Sequence, residues 1–583
     1  MRSKGRVPSG WTLALAALVV LAFALRVWGV KHGLPYVYNL DENANFVRSA
    51  VGFFSGDYNP HYFVNPPAFS YLLHAVLAVW FGAGWPFGAG DSVAKAHATD
   101  PTQVFVVARV TAAALGAASL VFVYGTGKRL YDRRVGFVAA AICAVAFLPV
   151  FYSHFALNDV PALLPLAVST WGSAGVVLYG RRRDYLVAGA ALGLAVATKY
   201  TAGIVILPLL AAAGARIASG RDERRPALAG LVAAGAAAAA AFFVANPYAL
   251  FSFSEFWSDV KKQESAASEL GKLGLTSDSG SSYYLWALTW GVGWAPLVAA
   301  IAGAVLSARD DWRRALFLVP WPIVFVLYMG SQDRYFGRWL IPALPAVALL
   351  AAVAAVKLVD LLRVSPARRA LALGAAAVVL AAQGAAYSVH VDRVLSRDDT
   401  RSLARAWMVQ NVPAGAKIVV EPIVPEAWFS DPGRAPSRPP PGITPAGRRW
   451  RKFVTTRTTL PGLGKKRATG VGRTITIEDY ERTTRPALID SYENGGFCWI
   501  VAGSTQYGRA LVDPGQVPEA LAYYRELLRR ADLLDAEEPY RTGKGPVRFN
   551  FDWSFDYYPL AYERPGPTVL VYRLRGGDCA RQR

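Results

Sequence analysis

The 583-residue chain is 54% hydrophobic and only 18% charged, where a typical soluble domain carries about a quarter charged residues. Its formal net charge of +21 invites a nucleic-acid reading. That reading is excluded, because the basic residues of the first 390 positions sit in short loops between apolar runs, where they act as topology signals. Three cysteines without a Cys-x-x-Cys pair leave no zinc or thioredoxin-type site in view.

The first apolar stretch, 11–30, follows Arg2, Lys4 and Arg6 and lacks a small-residue cleavage site. It reads as a retained first span rather than a signal peptide. Ten further runs follow at 103–124, 135–152, 160–179, 185–198, 201–217, 227–245, 283–306, 315–330, 340–358 and 369–389. At roughly 20 apolar residues per crossing, this makes about eleven transmembrane helices. The expected fold class is a polytopic α-helical membrane protein, residues 1–390, followed by a C-terminal α/β domain, residues 391–583.

One set of loops is basic: Lys128 to Arg134, Arg181 to Arg183, Arg221 to Arg225, Arg309 to Arg314 and Lys357 to Arg369. These loops alternate strictly with the others and share a side with the basic N-terminus. That side is expected to be cytoplasmic. An odd number of spans then puts the C-terminal domain outside the plasma membrane. The outer loops are long and chemically mixed, above all 31–101, which points to a working site on that face.

In the C-terminal part, the segment 398–415 reads as a helix that stops before Pro413 and Gly415. Residues 417–422, 498–504 and 568–574 read as strands and 518–531 as a helix, an alternation that suits a small α/β domain. Residues 430–470, rich in Pro, Gly and Arg, read as an irregular insertion. Cys498 and Cys579 fall in this part, and export would allow them to pair.

The most informative segment is 40–74, LDENANFVRSAVGFFSGDYNPHYFVNPPAFSYLLH. Carboxylates at membrane depth are costly and normally face a cavity. Asp41 and Glu42 are therefore candidates, against the plain alternative of loop acids or a helix cap. Asp159 stands at the start of the fourth span, after His154 and Asn158, where it also suits an N-cap. Lys199 lies between two short apolar runs, and an intramembrane cation needs a partner such as phosphate or Asp159. Arg334 and Arg338 suit phosphate through their planar forks, or else snorkel to the interface. Arg109 lies inside the second span near its outer end.

These features resemble the lipid-linked-sugar glycosyltransferases of the C-type fold, in particular the protein O-mannosyltransferase and aminoarabinose-transferase-like families. The resemblance rests on the Asp41-Glu42 pair, Gly56 to His61, the Pro66-Pro67 pair, the aromatic helix that follows, Arg109, Gly127 to Tyr131, Asp159, Thr198-Lys199-Tyr200 and Arg334-Tyr335. It covers most of residues 10–390. Asn65 departs from the pattern, since many relatives carry His or Tyr there, and this touches the acceptor contacts.

The resemblance implies a polyprenyl-phosphate sugar as donor and a glycan, glycolipid or protein hydroxyl as acceptor. Asp41 would be the general base. Glu42 and Asp159 would position acceptor or sugar and stabilise oxocarbenium-like charge. Lys199, Arg334 and Arg338 would offset charge on the leaving phosphate, with Tyr200, Arg109, Tyr335, His61 and His154 as further substrate-binding candidates. Transfer would invert the anomeric centre. No cofactor is implied beyond an open alternative, a divalent ion (Mg or Mn) held between Asp41 and Asp159. The competing readings are a transporter or flippase, which internal hydropathy symmetry would mark and which no repeat here supports, and a non-catalytic membrane scaffold or polymerase of another class.

Overall fold

The computed structural model describes residues 10–82, 90–268, 273–274, 279–332, 334–431, 448–453, 480–552 and 557–582. Every run expected to span a membrane is helical. Eight helices among the described residues are long and apolar enough to cross, from Gly10–Val27 to the long helix that begins at Pro366. The other three are shorter. Helices Arg133–Val145 and Phe147–Tyr152 share one run, broken at Ala146, whose ψ of 130° leaves the helical region. Leu163–Tyr179 and Arg182–Thr198 have 17 residues each. All eleven runs thus appear as helices, with eight meeting the length criterion.

Small residues let these helices close on one another. A Cβ on Gly189 or Gly193 would overlap the carbonyls of Ala234 and Ala238 on the neighbouring helix. Both pairs are spaced four apart, so two backbones meet along one face, as small-x-x-x-small stripes allow in lipid. Helix Leu344–Asp360 is enclosed on nearly all sides. From Leu344 to Val356 it is apolar all round, because that stretch has no lipid or water face to serve.

The basic loops gather at one end of the bundle. Arg129 meets Asp184 at 3.5 Å, Arg134 meets Asp360 at 2.7 Å, Arg216 meets Glu223 at 2.6 Å, and Lys357 pairs with Asp310. Apart from Arg129–Asp184, whose carboxylate is buried, these partly exposed pairs add at most about 1 kcal/mol each. They do show that the basic loops share one face.

Helix Pro366–Leu395 continues through position 390, so the expected boundary falls inside a helix. The chain then turns into helix Thr400–Asn411, capped by Asp399. The C-terminal sheet has strands β1 (Lys417–Val420), β2 (Arg451–Lys452), β3 (Trp499–Gly503), β4 (Ala531–Glu537) and β5 (Val569–Leu574). Their order is β2-β1-β3-β5-β4. β1 runs parallel to β2 and β3, while β5 runs antiparallel to β3 and β4. Strand β4 was not legible in the sequence, because it follows helix Pro518–Arg530 with no Gly or Pro between them. The expected irregular insertion at 430–470 lies largely outside the described residues. Cys498 and Cys579 form a disulfide that ties the start of β3 to the last helix, Gly577–Ala580.

Glu421, just after β1, is fully buried in this part. Burial raises its pKa from 4.5 to about 8, although the Gly503 N–H and the Tyr524 hydroxyl each donate to its oxygens at 2.7 Å and favour the charged form. The folded state therefore keeps a proton that the unfolded chain loses near its ordinary value. Its contribution is fully present below about pH 4.5 and is lost as pH rises through about 8. Glu421→Gln is expected to flatten the fall in melting temperature across that window. Parallel melting curves for the two proteins from acid to alkaline pH would refute the assignment.

Candidate active site

A cavity of about 380 Å³ lies between the C-terminal part and the ends of the membrane helices opposite the basic loops. Each membrane segment that lines it joins two helices at the end opposite their basic loops. Asp41, Asp159, Lys199, Arg334 and Arg338 all face it.

Asp41 and Glu42 are neighbours on the five-residue helix Leu40–Ala44, capped by the Asn39 side chain, which accepts from the Glu42 N–H at 3.0 Å. Successive helical residues point about 100° apart, so the two carboxylates diverge. Asp41 turns to the cavity, half exposed, and accepts from Arg338 Nη2 at 2.6 Å. Glu42 turns inward and is fully buried. It receives Arg109 through Nε at 2.7 Å and Nη2 at 2.8 Å, and the Ala156 N–H at 2.8 Å. Arg109 also donates to the carbonyls of Val30 and His32, at 2.7 and 2.9 Å. Neither Glu42 nor Arg109 lines the cavity.

Asp159 sits in the irregular stretch between Tyr152 and Leu163. It caps no helix, since the helix that follows is preceded by Ala162 without a side-chain cap. It accepts from Lys199 Nζ at 2.6 Å, and both side chains are largely buried. Lys199 reaches it because the backbone is extended there, φ −152°, between helix Arg182–Thr198 and the 3-10 turn Tyr200–Val205. Asn158 Nδ2 donates to the Thr198 carbonyl at 2.7 Å and fixes one segment to the other. The guanidinium groups of Arg334 and Arg338 lie 5.7 and 5.1 Å from the Phe336 ring, a cation–π arrangement that holds both at the cavity edge.

The remaining candidates point elsewhere. The Tyr200 hydroxyl donates to the Phe63 carbonyl at 2.8 Å. Tyr335 is buried with its ring 4.6 Å from Tyr283. His61 is on the exposed loop, 3.1 Å from Asp57 and 3.4 Å from Glu255; its hydrogen bond to Asp57, and then the two negative charges, raise its pKa. His154 is buried, with Nε2 2.8 Å from the Trp28 carbonyl and 3.2 Å from Asp392.

Residues 102–250 match the family model described as dolichyl-phosphate-mannose-protein mannosyltransferase. No curated protein matches the sequence. Among solved structures, the chain resembles the oligosaccharyltransferase AglB of Archaeoglobus fulgidus in complex with an inhibitory peptide and a dolichol-phosphate. Identity is 14%, the match covers 94% of this chain and 77% of that one, and the TM-score is 0.51. An oligosaccharyltransferase of Archaeoglobus fulgidus in complex with Zn and sulfate matches at 14% identity over 87% and 70%, TM-score 0.51. ArnT from Cupriavidus metallidurans in the apo state matches at 15% identity over 71% and 82%, TM-score 0.49. The fold is that of the C-type glycosyltransferases. The family model is likewise that of a glycosyltransferase.

Within this C-type fold, the donor set does not fit a divalent ion between Asp41 and Asp159. Each carboxylate already holds a cation, and no group of three His, Cys, Asp or Glu side chains converges among the described residues. Sequence reasoning also missed the upper wall. Arg401, Ile423, Thr505, Arg509 and Tyr558 of the C-terminal part line the cavity, and no motif marked them. Asn65, noted for its departure from the family pattern, does line it, donating to the Tyr62 hydroxyl at 3.0 Å.

Proposed function

We propose that this chain transfers a sugar from a polyprenyl-phosphate donor to an acceptor hydroxyl at the outer face of the plasma membrane. The observation that carries the reading is the pair of carboxylate–cation contacts, Asp41–Arg338 and Asp159–Lys199, facing one cavity opposite the basic loops. The name of the matching family and the dolichol-phosphate in the AglB complex support the donor class. The Cys498–Cys579 disulfide supports an outer, oxidising side for the C-terminal part, with the N-terminus and basic loops cytoplasmic.

The donor tail stays in the bilayer and its phosphate enters the cavity. The phosphate competes with Asp41 and Asp159 for Arg338 and Lys199, with Arg334 close by. Arg matches a phosphate through two parallel N–H donors. As Arg338 turns to phosphate, Asp41 is released to take a proton. The acceptor oxygen attacks the anomeric carbon, its proton passes to Asp41, and the bond to the phosphate oxygen breaks. The lipid phosphate leaves with the electron pair, neutralised by the same cations. Attack opposite the leaving group inverts the anomeric centre. Asp159, held near the sugar, balances positive charge on the ring.

Undecaprenyl phosphate tests this reading as a product-like probe. Full-length protein in detergent is expected to bind it, with Arg338→Gln and Lys199→Gln each weakening affinity by tenfold or more, the effect of losing one charge-assisted contact of about 1.4 kcal/mol or more. Unchanged affinity in both variants would remove the cavity as the phosphate site.

A further inference from the structure

The segment just before Asp41 is the seam between the two parts of the molecule. Val37 is buried in the membrane core, whereas Tyr36 and Tyr38 on either side pack against the core of the C-terminal part. Val37 adopts φ +55°. A β-branched side chain is a true outlier there, at about 1–3 kcal/mol, and persists only where its surroundings hold it. Here two cores hold it from opposite sides.

The C-terminal grip is specific. The Tyr38 hydroxyl lies 2.9 Å from Ser402 Oγ, and the Arg401 guanidinium stacks 3.9 Å over the Tyr38 ring. Arg401 is itself fixed by Asp399 through Nε at 2.8 Å and Nη2 at 2.7 Å. Arg405, 5.3 Å over Tyr36, is anchored on the carbonyls of Trp428 and Ser430 at 2.8 and 2.6 Å. On the other side, Asn43 Nδ2 donates to the carbonyls of Tyr36 and Val37, at 3.3 and 3.1 Å. Helix Leu40–Ala44, which carries Asp41, is thereby tied back onto the gripped segment.

We propose that the C-terminal part positions the base: Tyr38, clamped by Arg401 and Ser402, is a positioning residue that sets where Asp41 stands in the cavity. A five-residue helix has too few internal hydrogen bonds to hold itself. Its geometry is therefore set from outside, on one side by the Glu42–Arg109 contacts and on the cavity side by residues 36–38, and through these from helix Thr400–Asn411. The C-terminal part is then a working component of the site rather than an appended module. This inference rests on the reading of Asp41 as the base.

Hydrogen exchange of the full-length protein in detergent, read over residues 34–46, tests it together with turnover of a panel of undecaprenyl-phosphate hexoses. Tyr38→Leu keeps apolar bulk but loses both the ring face and the hydroxyl. It is expected to speed exchange at 39–45 by about tenfold or more, with the other helices unchanged. It should also lower kcat about tenfold while the donor KM stays within about twofold, the pattern of a misplaced catalytic group. Tyr38→Phe keeps the stack on Arg401 and should recover most of both. Arg401→Gln interrogates the same contact from the C-terminal side and should repeat the Tyr38→Leu result. Wild-type exchange at 39–45 in Tyr38→Leu and Arg401→Gln overturns the proposal. So does a raised donor KM with unchanged exchange, which would make Tyr38 only a wall of the cavity. Asp41→Asn separates the two readings. If it retains turnover the base assignment fails, while the exchange data still decide whether Tyr38 holds the helix.

Discussion

Asp41→Asn is expected to abolish turnover, by about a thousandfold or more in kcat, without loss of folded protein. Removal of a positioned general base alone costs about 10²–10⁴, and the variant also leaves Arg338 without its anionic partner. Folding should be spared for local reasons. Asp41 is half exposed and faces the cavity, so solvent screens much of its ion pair, and Asp159 still offsets the charge of the largely buried Arg338. The helix that carries it is held by Asn39, Asn43 and Glu42, none of which the change touches. Asn is also close in shape to Asp, so the cavity wall keeps its form. The measurement is single-turnover release of undecaprenyl phosphate from the donor panel, beside a melting curve of the same preparation. Turnover near the wild-type rate would remove Asp41 as the base, and Asp159 would be the next candidate facing the same cavity.

How much of this was readable beforehand depends on the type of signal. The spans and the common end of the basic loops came from long-range regularities, apolar run length and the alternation of Lys and Arg, which need no tertiary detail. Each predicted run is a helix, even where Ala146 breaks one of them. The cavity residues Asp41, Asp159, Lys199, Arg334 and Arg338 were likewise visible, because charges at the ends of apolar runs stand out against their background. What could not be read is direction. Asp41 and Glu42 are adjacent in sequence and equal in chemistry, and only the helical turn between them sends one to the cavity and the other to Arg109. The same holds for Tyr200 and Tyr335, which sit beside cavity cations but point away. The roof was invisible for another reason. Arg401, Thr505 and Arg509 belong to the C-terminal part and meet the membrane part only through folding.

The inward-turned pair makes the second large prediction. Glu42→Ala is expected to destabilise the protein by about 3–5 kcal/mol, because it leaves Arg109 charged and buried with no counter-ion. Two carbonyls, Val30 and His32, would remain as its only acceptors of those described above. Glu42 also receives the Ala156 N–H, three residues before Asp159, so one carboxylate joins the Asp41 helix to the Asp159 segment. Its loss should therefore blunt activity by loosening both walls of the cavity at once. A substrate contact would behave differently, lowering turnover while sparing the melting temperature. The double variant Glu42→Met/Arg109→Met separates these cases. Replacing both charges with apolar side chains of similar length should restore much of the stability, since an apolar pair can match a buried ion pair. It should not restore turnover, because the hydrogen bond to Ala156 stays lost. Stability within about 1 kcal/mol of wild type for Glu42→Ala, together with lost turnover, would return Glu42 to the substrate-binding role that its place beside Asp41 first suggests.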